Sequence, residues 1–321
     1  LASGRITVPD SSGATDAGSS PQTDRISVAQ GLFRLSRPRQ WIKNVLVFVA
    51  PAAGGVLLHW NVLWHAAAAF GIFCLAASGT YFLNDAMDVE ADRLHPTKRF
   101  RPIAAGMVPV GWAVALAVGL LAASIVAADI LAGYDLAIVM GLYAAANIGY
   151  SMGLKNEPIL DLALVCAGFV LRAIAGGVAT GVPLSTWFII VASFGSLLIV
   201  TGKRSGEKHL LDGAAINQGT VRQTLELYTP EFLRAVLTLS AGVCVTAYCL
   251  WAFERASQVH DGHDPIWFQL SIIPFVIAIL HIVRLLDSGK GAAPEDLAIH
   301  DHRLQMYGLS WIVLFAVATY A

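Results

Sequence analysis

The chain has 321 residues, of which 56% are hydrophobic and 13% charged, with a mean hydropathy of +0.63. That balance excludes an ordinary soluble domain and implies an integral membrane protein. The formal net charge of −1 says little about partners, and no nucleic acid is expected among them.

Residues 1–30 are rich in Ser, Gly, Asp and Thr and lack an apolar core, so they are read as a disordered tail rather than a signal peptide or a span. The rest, 31–321, is expected to form one domain, because a polytopic bundle grows by adding spans around a single core. Apolar runs long enough to cross a bilayer fall near 42–59, 63–86, 108–128, 135–153, 159–179, 185–203, 233–253, 266–286 and 303–320. The predicted fold is therefore all-α, a polytopic bundle of nine transmembrane helices, in which Pro51, Pro183 and Pro274 are placed to kink or trim their segments. Cys74, Cys166, Cys244 and Cys249 lie inside apolar stretches without zinc-site spacing and are assigned no chemistry.

Basic residues near span ends mark the cytoplasmic side. Arg34, Arg37, Arg39 and Lys43 precede the first span; Arg93, Lys98, Arg99 and Arg101 follow the second; Lys155 follows the fourth. Lys203, Arg204, Lys208, Arg222 and Arg234 follow the sixth, and Arg284, Lys290 and Arg303 surround the last connector, while the intervening connectors hold only Arg255. This places the chain in the cell inner (plasma) membrane with the N-terminus and the polar connectors cytoplasmic and the C-terminus outside. The long connector 204–232 is expected to include a short amphipathic helix at the interface, with a solvated linker as the alternative for its middle.

The stretch "NDAMDVEADRLHPTKRFRP" (84–102) gathers four acidic and four basic side chains at the end of the second span. On a continuous helix Asn84, Asp88 and Asp92 fall within about 80° of one another and Asp85 extends the stripe by about 20°, while Glu90 points roughly the other way. Clustered carboxylates call for a bridging cation, and hard oxygen ligands suit Mg²⁺ shared with a substrate phosphate. The competing reading is a solvated helix end whose acids pair with Arg93, Lys98 or Arg99, although acids at a helix C-terminus oppose the macrodipole. Pro96 and Pro102 bracket Lys98, Arg99 and Arg101, bases suited to gripping a departing diphosphate.

Asn-Asp-x-x-Asp-x-x-x-Asp after the second span resembles the UbiA-type intramembrane prenyltransferase superfamily. "RPRQWIKN" (37–44), "YFLNDAMDVEADRLHPTKRFRPIAAG" (81–106), "LRAIAGGVAT" (171–180) and "TGKRSGEKHL" (201–210) are similar to the decaprenyl-phosphate phosphoribosyltransferase family of actinobacteria. The resemblance implies a UbiA-like fold, Mg²⁺ held by Asn84, Asp85, Asp88 and Asp92, and catalytic work by Asp85, Asp88 and Asp92. It implies 5-phosphoribosyl 1-diphosphate as donor, decaprenyl or another polyprenyl phosphate as acceptor, and a lipid-linked ribose phosphate that feeds cell-envelope arabinose donors. Membrane lipids are expected neighbours, and homo-oligomerisation is left open. Substrate contacts are expected from Lys43, Tyr81, Lys98, Arg99, Arg101, Tyr150, Lys155, Asp161, Arg172, Lys203 and Arg204.

One departure from the superfamily is informative. Where a second aspartate-rich motif is usual, this chain has "YSMGLKNEPILD" (150–161), with Lys155 in place of an acid. That favours a site that also binds a sugar phosphate. Lys155 alone is equally a positive-inside anchor, and Asp161 a helix N-cap. Arg172 lies about 16 Å further along the same helix, a costly depth unless it faces a polar cavity or snorkels outward. Two rivals remain: an aromatic prenyltransferase using a polyprenyl diphosphate, and a lipid-phosphate or metal transporter. Transporters place their sites near the midplane, and the acids here crowd at one surface.

Overall fold

The computed structural model describes residues 28–213, 224–258, 264–289, 291, 297 and 299–320. The expected tail lies outside the described residues except for its last three, which belong to a helix. Within Val28–Leu35 (α1), Leu32 and Leu35 turn inward onto Ile103 and Val108 while Phe33 stays exposed. That two-faced pattern suits a helix lying at a membrane interface.

Pro38–Phe48 winds as a 3₁₀ helix and runs on into Val49–Ala53 (α2). The next helices are Trp60–Met87 (α3), Val89–Leu94 (α4), Val110–Ala132 (α5), Tyr134–Ser151 (α6) and Pro158–Thr180 (α7). Thr186–Gly213 (α8), Thr224–Leu227 (α9), Pro230–Gln258 (α10), Ile266–Asp287 (α11) and His302–Tyr320 (α12) complete the described helices. Their ends follow local chemistry. Pro158 occupies the first turn of α7, where its missing N–H costs nothing, and Gly181 stops that helix in the left-handed region at φ 68°. Asp301 caps α12 by accepting the Leu304 N–H at 2.8 Å; that bond, and then His281, hold its carboxyl below the usual range.

Without a hydrophobic drive between helices in lipid, close approach depends on small residues. α5 presents Ala113, Ala117, Ser124 and Ala128 along one buried stripe, and Gly79 of α3 lies so near that a Cβ would stand 3.0 Å from the Ala117 carbonyl. One core gathers α3, α5, α6, α7 and the 3₁₀ segment around Phe73, Leu136, Met140 and Tyr143. A second, aromatic core of Tyr248, Trp251, Phe268, Trp311 and Phe315 joins α8, α10, α11 and α12. α7 packs on α8, and the Tyr320 hydroxyl donates to the Ala52 carbonyl at 3.2 Å, so the last helix returns to the first segment.

The helices match the nine predicted spans unevenly. Six helices among the described residues are long and apolar enough to cross a membrane: α3, α5, α7, α8 up to Leu210, α10 and α11. The first predicted span is a 3₁₀ stretch joined to a five-residue α-helix rather than one regular helix. α6 and α12, of 18 and 19 residues, carry polar side chains such as Asp135, Asn147, Arg303 and Gln305. Pro183 lies between α7 and α8, whereas Pro274 is accommodated inside α11. In the connector 204–232, α8 continues ten residues past its predicted end, with Arg204 buried, and α9 has only four residues; 214–223 lie outside the described residues.

Gly176 marks the tightest crossing of α7 on the 3₁₀ segment, where any Cβ would run into the Val47 backbone carbonyl. Gly176→Ala is expected to destabilise the protein by about 1–3 kcal/mol, the usual penalty of overpacking. Gly119→Ala, whose Cβ would meet nothing within 4 Å, should be neutral or slightly stabilising. Thermal unfolding in detergent compares them, and equal stability of the two variants would contradict the close crossing.

Candidate active site

A cavity of about 1080 Å³ opens where the ends of α3, α6, α7 and α8 meet the 3₁₀ segment. The chain from 84 to 101 reaches it through a break. α3 ends at Met87, Asp88 leaves the helical region (φ −87°, ψ 5°), and α4 starts one residue later. The expected acidic stripe is divided. Asn84 and Asp88 line the cavity, whereas Asp85 and Asp92 are 2% and 3% exposed and do not line it. Among the described residues no three His, Cys, Asp or Glu side chains are grouped to hold a metal. The four-residue metal set is split into two pairs: Asn84 and Asp88 line the cavity, and Asp85 stays beside Asp92 behind it.

Each acid has a basic partner. Asp85 Oδ1 accepts Arg37 Nη2 at 2.6 Å and Arg101 Nη1 at 3.0 Å, and the same Arg101 nitrogen donates to Asp92 Oδ2 at 2.7 Å. Asp88 accepts Lys155 Nζ at 2.7 Å and the Asn84 amide at 3.0 Å. Lys98 lines the cavity; Arg99 does not, being exposed with its guanidinium 4.8 Å from the Phe100 ring centroid. Arg37 is held in the left-handed region (φ 50°, ψ 61°), the one non-glycine there among the described residues. Strain of this kind costs about 1–3 kcal/mol and persists where surrounding contacts over-determine it.

The second motif has a different chemistry from the first. Asp161, in the first turn of α7, is 0% exposed. It takes a two-pronged contact from Arg204 at 2.6 and 2.9 Å, with Tyr150 and Tyr228 hydroxyls at 3.1 and 3.2 Å. Its oxygens are thus committed to protein donors, and it is absent from the cavity wall. Arg204 lines the cavity and also meets Glu207 at 2.9 Å. Gly153, at φ 128°, turns the chain after α6 so that Lys155 reaches Asp88, and Thr224 Oγ1 donates to the Lys155 carbonyl at 2.7 Å.

Deeper in the cavity is Arg172. Its Nε donates to Asn44 Oδ1 at 2.7 Å, Nη1 to the Gly168 carbonyl at 2.5 Å and Nη2 to the Tyr143 hydroxyl at 3.0 Å. The Tyr143 and Phe73 ring centroids lie 4.9 and 5.6 Å from the guanidinium carbon, so the charge is buried with partners rather than snorkelled outward. Lys43, Tyr81, Tyr150 and Lys203, expected from the sequence to contact substrate, also line the cavity. Sequence reasoning missed Arg37 as a site residue, along with Asn44, Tyr143, Ser151 and Tyr228. Arg37 and Asn44 lie inside the quoted stretch 37–44; a lone Tyr143 on an apolar helix carries no such signal.

Nine basic side chains line the cavity against two acidic ones, Asp88 and Glu207. Such a wall binds polyanions. Leu164, Val165, Phe169, Ile199 and Val200 of α7 and α8 add an apolar flank to the same cavity, a surface on which a hydrocarbon chain can lie.

Residues 44–309 match the model of the UbiA prenyltransferase family. The chain is similar to the decaprenyl-phosphate phosphoribosyltransferase of Corynebacterium glutamicum, at 46% identity over 302 residues covering 92% of this chain and 88% of that one. It is similar also to the enzyme of that name from Mycobacterium tuberculosis, at 47% identity over 298 residues, 91% of this chain and 95% of that one. In three dimensions it is similar to a UbiA homolog from Archaeoglobus fulgidus solved with DMAPP and Mg²⁺, with a TM-score of 0.68, 17% identity and coverage of 90% and 97%. A UbiA homolog from Aeropyrum pernix superposes with a TM-score of 0.54 and 16% identity over 84% of this chain and 97% of that one.

Proposed function

Since the chain belongs to the UbiA prenyltransferase family, we propose that it is a decaprenyl-phosphate phosphoribosyltransferase: it moves the 5-phosphoribosyl group of 5-phosphoribosyl 1-diphosphate onto decaprenyl phosphate and releases diphosphate. The observation that carries this reading is the likeness to enzymes of that name along nine-tenths of the chain. The excess of bases over acids in the cavity wall supports it, since both substrates are phosphorylated. The apolar flank on α7 and α8 suits the lipid tail of the acceptor.

Asn84 and Asp88 offer hard oxygens to the cavity, and Asp88 already holds one cation, the Lys155 ammonium at 2.7 Å. Mg²⁺ commonly takes only one or two protein carboxylates and completes its shell with water and substrate phosphate. The residues therefore fit the ion, which when bound would make diphosphate a better leaving group. As the ribose C1–oxygen bond to diphosphate breaks, a phosphate oxygen of the lipid bonds to C1 and the electron pair leaves with diphosphate. The developing negative charge is met by Arg101, Lys98 and Arg37. Lys43, Lys203 and Lys155 are placed to hold the 5-phosphate or the lipid phosphate. No general base is required, because the accepting phosphate is already anionic near neutral pH.

The charged connectors share the cavity end of the bundle, which supports a cytoplasmic site in the inner membrane with the N-terminus on the same side. Crossing by the first segment, α6 and α12 as well would give nine passages and an external C-terminus. Eleven residues of 3₁₀ and five of α-helix reach about 30 Å, enough for the hydrocarbon core.

The decisive assay supplies labelled 5-phosphoribosyl 1-diphosphate and polyprenyl phosphate to the purified protein in lipid. Label is expected in a lipid-linked ribose phosphate, with turnover dependent on Mg²⁺. Failure to form that lipid would sink the assignment, and prenylation of an aromatic acceptor would replace it.

A further inference from the structure

We propose that Arg37 and Arg101 form a preorganised two-guanidinium clamp for the diphosphate, and that Asp85 and Asp92 position this clamp instead of holding metal. The inference rests on the proposed function only in requiring a diphosphate leaving group.

Both arginines line the cavity, and neither carboxylate does. Arg37 and Arg101 side chains are 29% and 26% exposed, with Asp85 and Asp92 buried at 2% and 4% behind them. The order from protein to cavity is thus carboxylate, guanidinium, open space. A metal bound by Asp85 or Asp92 would have to displace the arginines that cover them.

Each guanidinium carries five N–H donors. Arg37 spends one nitrogen on Asp85, and Arg101 spends one on Asp85 and Asp92 together. Among the described residues no other side-chain acceptor bonds to either guanidinium, so the remaining donors are open to the cavity. Two acids and two bases cancel in charge, and the group therefore binds an anion through fixed donor geometry more than through net charge.

The Arg37 fork is fixed three times over. Its backbone is left-handed immediately before Pro38, Asp85 holds Nη2, and the Tyr81 ring centroid lies 4.8 Å from its guanidinium carbon. Arg101 is set between the short 3₁₀ turn Lys98–Phe100 and Pro102, and its two carboxylate partners fix the plane of the group.

The test is binding of inorganic diphosphate to the full chain in lipid nanodiscs, measured by calorimetry across Mg²⁺ concentrations from zero upward. Arg37→Gln and Arg101→Gln are expected to weaken Mg²⁺-free binding by about tenfold or more, each charge-assisted contact being of that order. Arg37→Lys, which keeps the charge and spares the fold, should fail to restore it, because an ammonium cannot reproduce the fork. Asp85→Asn should leave the half-saturating Mg²⁺ concentration within about twofold, whereas Asp88→Asn should raise it about tenfold or more. Wild-type affinity in the arginine variants, full rescue by lysine, or an Asp85→Asn variant as Mg²⁺-hungry as Asp88→Asn would each overturn the proposal. A protein that binds diphosphate through the clamp yet makes no lipid-linked ribose phosphate would instead sink the phosphoribosyl reading alone.

Discussion

Asp88→Asn is expected to lower turnover by about 10³-fold or more, the scale of losing a metal's charge at a leaving group, while the protein remains folded. The stability side of this prediction follows from exposure. Asp88 and Lys155 side chains are 29% and 19% exposed, and Asp88 also keeps its neighbour Asn84 within hydrogen-bonding distance. Neutralising one partner of such a partly buried pair, which keeps a hydrogen-bonding neighbour and opens onto the cavity, costs about 1–3 kcal/mol. The catalytic side follows from position: Asp88 is the single Asp lining the cavity, and Asn84, one helical turn earlier, is its companion oxygen donor. Initial rates and unfolding curves of the same detergent-extracted samples separate the two effects. Retained Mg²⁺-dependent activity would make the residue structural.

Asp161→Asn should show the opposite balance, with stability suffering first. Asp161 and Arg204 are 0% and 5% exposed, and Arg204 spends two of its nitrogens on the two carboxylate oxygens. Removing one charge from a buried pair leaves the other uncompensated, at a cost of about 3–5 kcal/mol. Tyr228 ties the pair to the segment after α9, its one O–H shared between Asp161 and the Pro158 carbonyl, so loosening is expected to spread into that connector. Arg204→Met combined with Asp161→Asn should recover part of the loss, because the orphaned guanidinium is gone. Strict additivity of the two single changes in unfolding free energy would mean that they do not act as a pair.

These two acids illustrate what the sequence could and could not disclose. Both were visible as acidic positions near span ends, and the apolar runs located α3, α5, α7, α10 and α11 to within about five residues, while α8 was found but its end was missed by ten. Helical-wheel reasoning, however, assumed a continuous helix from 84 to 92. The structure keeps the neighbours such a helix gives, Asn84 with Asp88 and Asp85 with Asp92, but no residue spacing showed that only the first pair would face the cavity while Arg101 covers the second.

Long-range partners were equally hidden. Lys155 meets Asp88 across 67 positions, Arg172 meets Asn44 across 128, and Arg204, read as the start of a connector, is buried against Asp161. Periodicity reports which face of an element is apolar and says nothing about which charged side chain a distant element will present. The first segment was legible as apolar but not as 3₁₀, because hydrophobicity does not distinguish the two windings. What did transfer was residue type: the bases expected to meet phosphates line one cavity, apart from Arg99.

The measurement closest to the central claim asks which substrate carries the diphosphate. Diphosphate release by the purified protein in lipid can be followed with two substrate pairs. With 5-phosphoribosyl 1-diphosphate and polyprenyl phosphate, release is predicted and should stop when the lipid phosphate is omitted; with polyprenyl diphosphate and an aromatic acceptor, none is predicted. Release from the second pair and not from the first would contradict the account.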